Sequence, residues 1–129
     1  MKNKLPSIAG GLLGLAFIAF GLNHFIPFLP SPPSPEEGSP TAMFFAGLYV
    51  SGYLGFIKAI EILGGILVAI PKTRNLGLLA LGPVVVNIIA FQVFMTGGAG
   101  LIQPPVILVA VLSAFLLWSA REKFAGLLN

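Results

Sequence analysis

The run Tyr53-Leu-Gly-Phe-Ile-Lys58-Ala-Ile-Glu61-Ile-Leu-Gly-Gly-Ile-Leu-Val-Ala-Ile70 is apolar on both sides of one lysine and one glutamate. Its length approaches the ~20 residues that a helix needs to cross a hydrocarbon core of ~30 Å. An ionised side chain at the middle of a bilayer costs roughly 2.5–3.5 kcal/mol on insertion scales, so two of them in such a run require a partner or a task. Three residues apart, Lys58 and Glu61 occupy adjoining positions on one helical face and can partly neutralise each other.

The composition around this run sets the class. The 129 residues are 57% hydrophobic and 9% charged, with a mean hydropathy of +0.99, whereas an ordinary soluble domain carries about 25% charged residues. A water-soluble fold of this length could not hide so much apolar surface in one core, so the expected solvent is lipid. The absence of cysteine excludes disulfides, thiolate metal sites, Fe–S ligation and cysteine-based sulfur transfer. A net charge of +3 could point to nucleic acid. However, Lys2, Lys4, Lys72, Arg74, Arg121 and Lys123 all flank apolar runs, as positive-inside determinants do, and no nucleic-acid partner is expected.

Four spans can be drawn, at about 5–28, 53–70, 76–95 and 105–120. The expected fold class is therefore all-α: a four-helix transmembrane bundle forming one domain over residues 1–129. The proline-rich loop 27–40 should be extended, because its prolines fix φ and remove backbone donors. Residues 41–51 read as a short interfacial helix with Thr41 as its cap, broken from the next span at Gly52. Lys and Arg alternate between the connections, which places both termini and the 71–75 loop in the cytoplasm of a plasma (inner) membrane. The proline-rich loop and the 97–104 loop then lie outside. The start also resembles a signal peptide, with small residues at Ala19-Phe20-Gly21. A retained span is expected, because the apolar run continues to Phe28 through Asn23 and His24.

In this topology nearly all intramembrane polar groups fall in the outer half: Asn23 and His24 late in span one, Lys58 and Glu61 in span two, Asn87 and Gln92 in span three. The cytoplasmic half is almost purely aliphatic. Helical phase places Gly10, Gly14, Phe17, Gly21 and His24 in one stripe, and Gly65 almost under Lys58. Small residues let neighbouring backbones approach closely. Packing these stripes together is expected to bring His24 towards Lys58 and Glu61. Pro83 and Asn87 share a face, whereas Gln92 points about 140° away from Asn87.

Three pieces carry a family resemblance. They are Phe20-Gly21-Leu22-Asn23-His24-Phe25, then Ser51-Gly52-Tyr53-Leu54 leading into Lys58-Ala-Ile-Glu61-Ile-Leu-Gly-Gly65, then Pro83-Val-Val-Val-Asn87-Ile-Ile-Ala-Phe91. Together they resemble the DoxX family of small integral membrane proteins, over about residues 7–124. The resemblance implies a four-helix transmembrane bundle. It also implies a place beside redox chemistry, since some members are subunits of a thiosulfate:quinone oxidoreductase. Related eukaryotic membrane proteins of this bundle type act as chaperones or trafficking factors. The chain departs from the pattern at Gln92, where similar sequences often carry His, which puts histidine-based proton or metal chemistry there in doubt.

Two functional classes stay open on the residues. In the first, the chain is a redox-associated membrane subunit with an outer-half pocket for a quinone-like or lipid-like molecule. His24, Lys58, Glu61, Asn87, Asn23 and Gln92 are then the ligand-binding candidates, and Phe25, Phe56 and Phe91 line the apolar part. In the second, it is a non-enzymatic scaffold or chaperone, whose Lys58/Glu61 pair fixes helix register while the helices bind a membrane protein partner or a second copy. Asn87 reads equally as a helix–helix hydrogen-bonding residue. Tyr53 and Trp118 suit the aromatic belts at the two interfaces. A single histidine cannot supply bis-His haem ligation within one chain, and without aspartate there is no Ser–His–Asp set. No haem, Fe–S cluster or structural metal is expected. As an enzyme, the chain would be at most one subunit of a quinone-linked oxidoreductase.

Overall fold

Pro6 opens the first helix, where a missing N–H costs nothing, and an unbroken apolar run carries it on. In the computed structural model, which describes residues 4–30 and 34–128, this helix is α1, Leu5–Phe25. Lys2 and residues 31–33 of the proline-rich loop lie outside the described residues. Helix α1 stops three residues short of the expected 28. Pro27 cannot donate to the helical ladder, and the Asn23 side-chain oxygen accepts from the backbone N–H groups of Phe28 and Leu29 at 2.9 and 2.8 Å. The Asn23 amide therefore turns the chain out of the helix.

Helix α2 spans Pro40–Ser51. Its cap is Ser39, not Thr41: Ser39 has extended backbone and its hydroxyl accepts from the Ala42 N–H at 3.2 Å. Pro40 takes the first helical position, which leaves Thr41 inside the first turn. There its hydroxyl donates to the Met95 carbonyl at 3.5 Å. Gly52 ends α2 at φ 84°, a conformation that glycine adopts without steric penalty. Helix α3, Tyr53–Ala69, leaves this joint at 83° to α2.

A short turn, Pro71–Thr73, leads into α4, Arg74–Met95, which contains Pro83. A second turn, Ala99–Ile102, precedes α5, Pro104–Ser119. Finally α6, Arg121–Ala125, belongs to a segment bent 72° from α5. At that bend the Arg121 guanidinium lies 4.0 Å from the centre of the Trp118 ring and donates to the Trp118 carbonyl at 2.8 Å. The described residues thus hold six α-helices and no strand.

Helices α1, α3, α4 and α5 pack with their main contacts between α1 and α3, α3 and α4, α4 and α5, and α1 and α5. Contact is most extensive between α1 and α3, where glycines meet backbone to backbone. A Cβ on Gly65 would lie 2.8 Å from the Gly14 carbonyl oxygen, and one on Gly21 would lie 3.0 Å from the Lys58 carbonyl oxygen. The small-residue stripes therefore face each other as expected. The seam continues to α4, where Gly77 lies against the Val68 backbone and Gly64 against Leu81.

The buried core joins Ala9, Leu13 and Phe17 to Val68, to Leu78, Leu81 and Val85, and to Val109 and Leu116. Most lie towards the end of the bundle where α1 begins, α3 ends, α4 begins and α5 ends, with Phe17, Val85 and Val109 nearer its middle. The outward faces of these helices are also apolar: Leu15, Leu63, Val86 and Val111 are each more than half exposed. A continuous apolar exterior of this kind suits lipid rather than water. Helix α1 and the segment Pro71–Met95 are each long and apolar enough to cross a membrane. Helices α3 and α5 reach that length only together with the helices bent from them, so two to four crossings are possible.

Candidate functional site

Beside the buried core, whose Phe17 and Val109 border it, residues of α2, α3, α4 and α5 line a cavity of about 560 Å³. Lys58 and Glu61 border it from α3. Lys58 Nζ lies 3.3 Å from Glu61 Oε1, with side-chain exposures of 25% and 7%, so the carboxylate is sequestered while the ammonium is reachable. That contact is the one hydrogen bond Glu61 receives among the described residues. Its second oxygen receives no hydrogen bond among the described residues.

Six of the expected residues border this cavity: Lys58, Glu61, Asn87, Gln92, Phe56 and Phe91. Asn23, His24 and Phe25 do not. The Asn23 oxygen is committed to the end of α1. His24 does reach α3, but its Nε2 sits beside Gly55, about one turn before Lys58. Its ring makes edge contacts with Phe25 at 4.9 Å and Tyr49 at 6.2 Å. The early end of α1 at Phe25 and the sharp bend at Gly52 account for this. They close α2 over the first turn of α3, so the His24 ring packs against Phe25 and Tyr49, while it still lies close enough to Glu61 to interact electrostatically with the carboxylate, as the packing of the two stripes predicts.

Asn87 is not a helix–helix hydrogen-bonding residue here. Its amide donates to the Pro83 carbonyl within α4 at 2.7 Å, and its exposed side chain faces the cavity. Gln92, 140° from Asn87 by simple phase, borders the same cavity at the other end of the wall. Its carbonyl accepts from the Gly98 N–H at 2.8 Å and from the Thr96 hydroxyl at 2.6 Å, and its side-chain oxygen lies 3.1 Å from that hydroxyl. The side chain lies flat on Gly100, where any Cβ would overlap its amide.

Two contributions escaped sequence reasoning. Phe44 and Phe45 of α2 meet Phe91 of α4 at ring separations of 5.5 and 5.3 Å, forming the aromatic roof of the cavity. Adjacent phenylalanines in a uniformly apolar helix carry no directional signal. The 83° fold at Gly52 that aims them was equally invisible. The second is Arg74, legible only as a topology charge. Its Nε donates to the Val68 carbonyl at 3.0 Å and its Nη2 to the Ala69 carbonyl at 3.4 Å, while Thr73 Oγ1 donates to the Leu67 carbonyl at 2.7 Å. The orphan carbonyls at the end of α3 are thereby satisfied. Gly10 lets the guanidinium lie against α1.

Chemically, the arrangement offers a mostly apolar chamber with a donor at Lys58, an acceptor at Glu61 and amide groups at Asn87 and Gln92. Among the described residues no three His, Cys, Asp or Glu side chains cluster to hold a metal. No protein-family model matches the chain, and no solved structure matches it. It is similar to the uncharacterized protein YwoB of Bacillus subtilis (strain 168), with 29% identity covering 98% of this chain and 84% of that protein.

Proposed function

We propose that this chain is a DoxX-like, four-span integral membrane protein that holds a quinone-like or lipid-like amphipathic molecule beside Lys58 and Glu61, as the membrane subunit of a redox assembly. The observation that carries the reading is the cavity of about 560 Å³, lined mainly by apolar and aromatic side chains and bordered by the Lys58–Glu61 ion pair. Small-molecule sites combine mainly apolar linings with a few placed polar groups. The Lys58 ammonium would donate to a carbonyl or ring oxygen of the ligand. The second Glu61 oxygen would accept from a ligand hydroxyl, and the Phe56 and Phe91 rings would flank its apolar body. In the proposed topology both termini are cytoplasmic, α2 lies along the outer interface of the plasma membrane, and the cavity opens in the outer half of the bilayer. The alternating Lys and Arg of the connections supports that orientation.

A second reading, a scaffold or chaperone that binds another membrane protein or a second copy, draws on α2. That helix buries none of its residues, and Met43, Tyr49 and Val50 are exposed at 62%, 70% and 85%. Native mass spectrometry of gently solubilised protein separates the two readings. A small molecule retained stoichiometrically by the wild type and lost in Glu61→Gln supports the binding site. An empty wild type, with Glu61→Gln merely less stable, sinks it in favour of the scaffold.

A further inference from the structure

Every described lysine and arginine except Lys58 lies at one end of the bundle: Lys4 before α1, Lys72 and Arg74 between α3 and α4, Arg121 and Lys123 after α5. Arg74 is turned onto the end of α3 and Arg121 onto the Trp118 ring. Lys4, Lys72 and Lys123 are exposed and form no ion pair among the described residues. The acid at this end is Glu122, so cations outweigh it. The chain after α5 does not follow the axis of α5. Arg121–Leu128 leaves it at 72°, and beside a crossing helix such a segment runs nearer the membrane plane than its normal. Arg121, Phe124 and Leu127 recur every three residues and share a face. Phe124 packs against the core and ties the segment to the bundle, whereas Trp118, Leu127 and Leu128 are each more than half exposed.

We infer that this end of the bundle is a docking surface for anionic phospholipid, with Arg121–Leu128 lying in the interface and Lys4, Lys72 and Lys123 meeting lipid phosphates. The inference rests on the reading of α5 as a crossing helix, and on neither the cavity nor the side of the membrane that the termini face. Exposed apolar side chains beside unpaired cations match the boundary between acyl chains and headgroups, which buries the first and neutralises the second. Nucleic acid or a soluble acidic partner would answer the charge and leave Trp118, Leu127 and Leu128 in water. In the proposed topology this end meets the cytoplasmic leaflet, the one that carries anionic lipid.

Trp118 is the single tryptophan and stands at the root of the segment, so its fluorescence reports the lipids there. The full chain is reconstituted into vesicles of one phosphatidylcholine–phosphatidylglycerol mixture, in which either the first or the second lipid carries brominated acyl chains. Bromine quenches on contact, so excess quenching by the brominated phosphatidylglycerol measures its enrichment at the surface. An enrichment of about three- to fivefold is expected, the scale of one effective cation near an anionic headgroup. Lys72→Gln/Lys123→Gln should remove most of that excess. Quenching by brominated phosphatidylcholine should persist in the double variant, which shows α5 still embedded. In the unaltered chain, about 1 M salt, with a screening length of roughly 3 Å, should suppress the excess in the same way. Equal quenching by the two brominated lipids, or an excess that survives the double variant or the salt, overturns the docking surface and leaves the membrane reading standing. Quenching by neither lipid overturns the crossing of α5 as well.

Discussion

Replacing single glycines by alanine tests the helix seam, because the chain holds matched pairs of crowded and open glycines on the same helices. On α1, a Cβ at Gly14 would collide with the Gly65 carbonyl and lie 2.8 Å from Ala69 Cβ, whereas Gly11 has nothing within 4 Å. On α4, Gly77 is pressed against the Val68 backbone with the Gly64 carbonyl oxygen at 3.0 Å, whereas Gly82 is open. Gly65 of α3 faces the Gly14 carbonyl oxygen at 2.8 Å and the Ile18 nitrogen at 3.2 Å. Over-packing a filled interface costs about 1–3 kcal/mol, and backbone obstacles, which cannot rotate aside, favour the upper part of that range. Removing a glycine from a helix interior returns roughly 0.5–1 kcal/mol. The balance for Gly65→Ala and Gly77→Ala is a loss of about 1–2 kcal/mol, a roughly 5- to 30-fold fall in the folded-to-unfolded ratio. Gly11→Ala and Gly82→Ala should be neutral or gain up to about 1 kcal/mol. Reversible unfolding in mixed micelles with increasing dodecyl sulfate, followed by circular dichroism and by the fluorescence of the single tryptophan, measures all four. If the crowded pair proves as stable as the open pair, the close backbone contact of α1, α3 and α4 is wrong.

Breaking the ion pair from one side with Lys58→Met should destabilise by roughly 2–3 kcal/mol, below the 3–5 kcal/mol of a fully buried pair because Lys58 is a quarter exposed. The double variant Lys58→Met/Glu61→Leu should recover most of that loss. If retention of a bound molecule stays absent in the stable double variant, the pair acts in binding and not only in folding. Arg74→Ala removes two hydrogen bonds to the end of α3 and should cost about 1–2 kcal/mol in the same unfolding assay; a neutral result would show those carbonyls satisfied otherwise. Because the chain has no cysteine of its own, single cysteines at 37 and 123 report topology cleanly. A membrane-impermeant maleimide applied to intact cells should label position 37 and spare 123, and the reverse would invert the proposed orientation.

Much of the frame was legible because it rests on one-dimensional signals. The apolar runs, the glycine stripe on α1, the break at Gly52 and the proximity of Lys58 to Glu61 follow from spacing along a helix. The misplaced details depend on competition between neighbours. Thr41 and Ser39 are both good caps, and Pro40, by taking the first helical position, decided for Ser39. Asn23 reads as an intramembrane polar group until the chain past Pro27 turns back and presents two N–H groups to it. Asn87 reads as a partner for another helix, yet its amide donates to the Pro83 carbonyl one turn back on its own helix.

The amino-acid sequence by itself determined that the chain is helical and suited to lipid, since apolar runs of this length with so few charges leave the backbone no other way to satisfy its polar groups. It also determined that Lys58 and Glu61 meet, because a separation of three residues brings side chains together on any helix. Only the tertiary structure decided that a cavity exists and what borders it. That depends on the 83° bend at Gly52 and on α2 laying Phe44 and Phe45 against Phe91, contacts between residues about 46 positions apart. It likewise decided that His24 stops beside Gly55 and that Arg74 closes the end of α3. Rotation about a single glycine joint is a small local choice with no periodic trace in sequence, and the packing of distant side chains selects its angle.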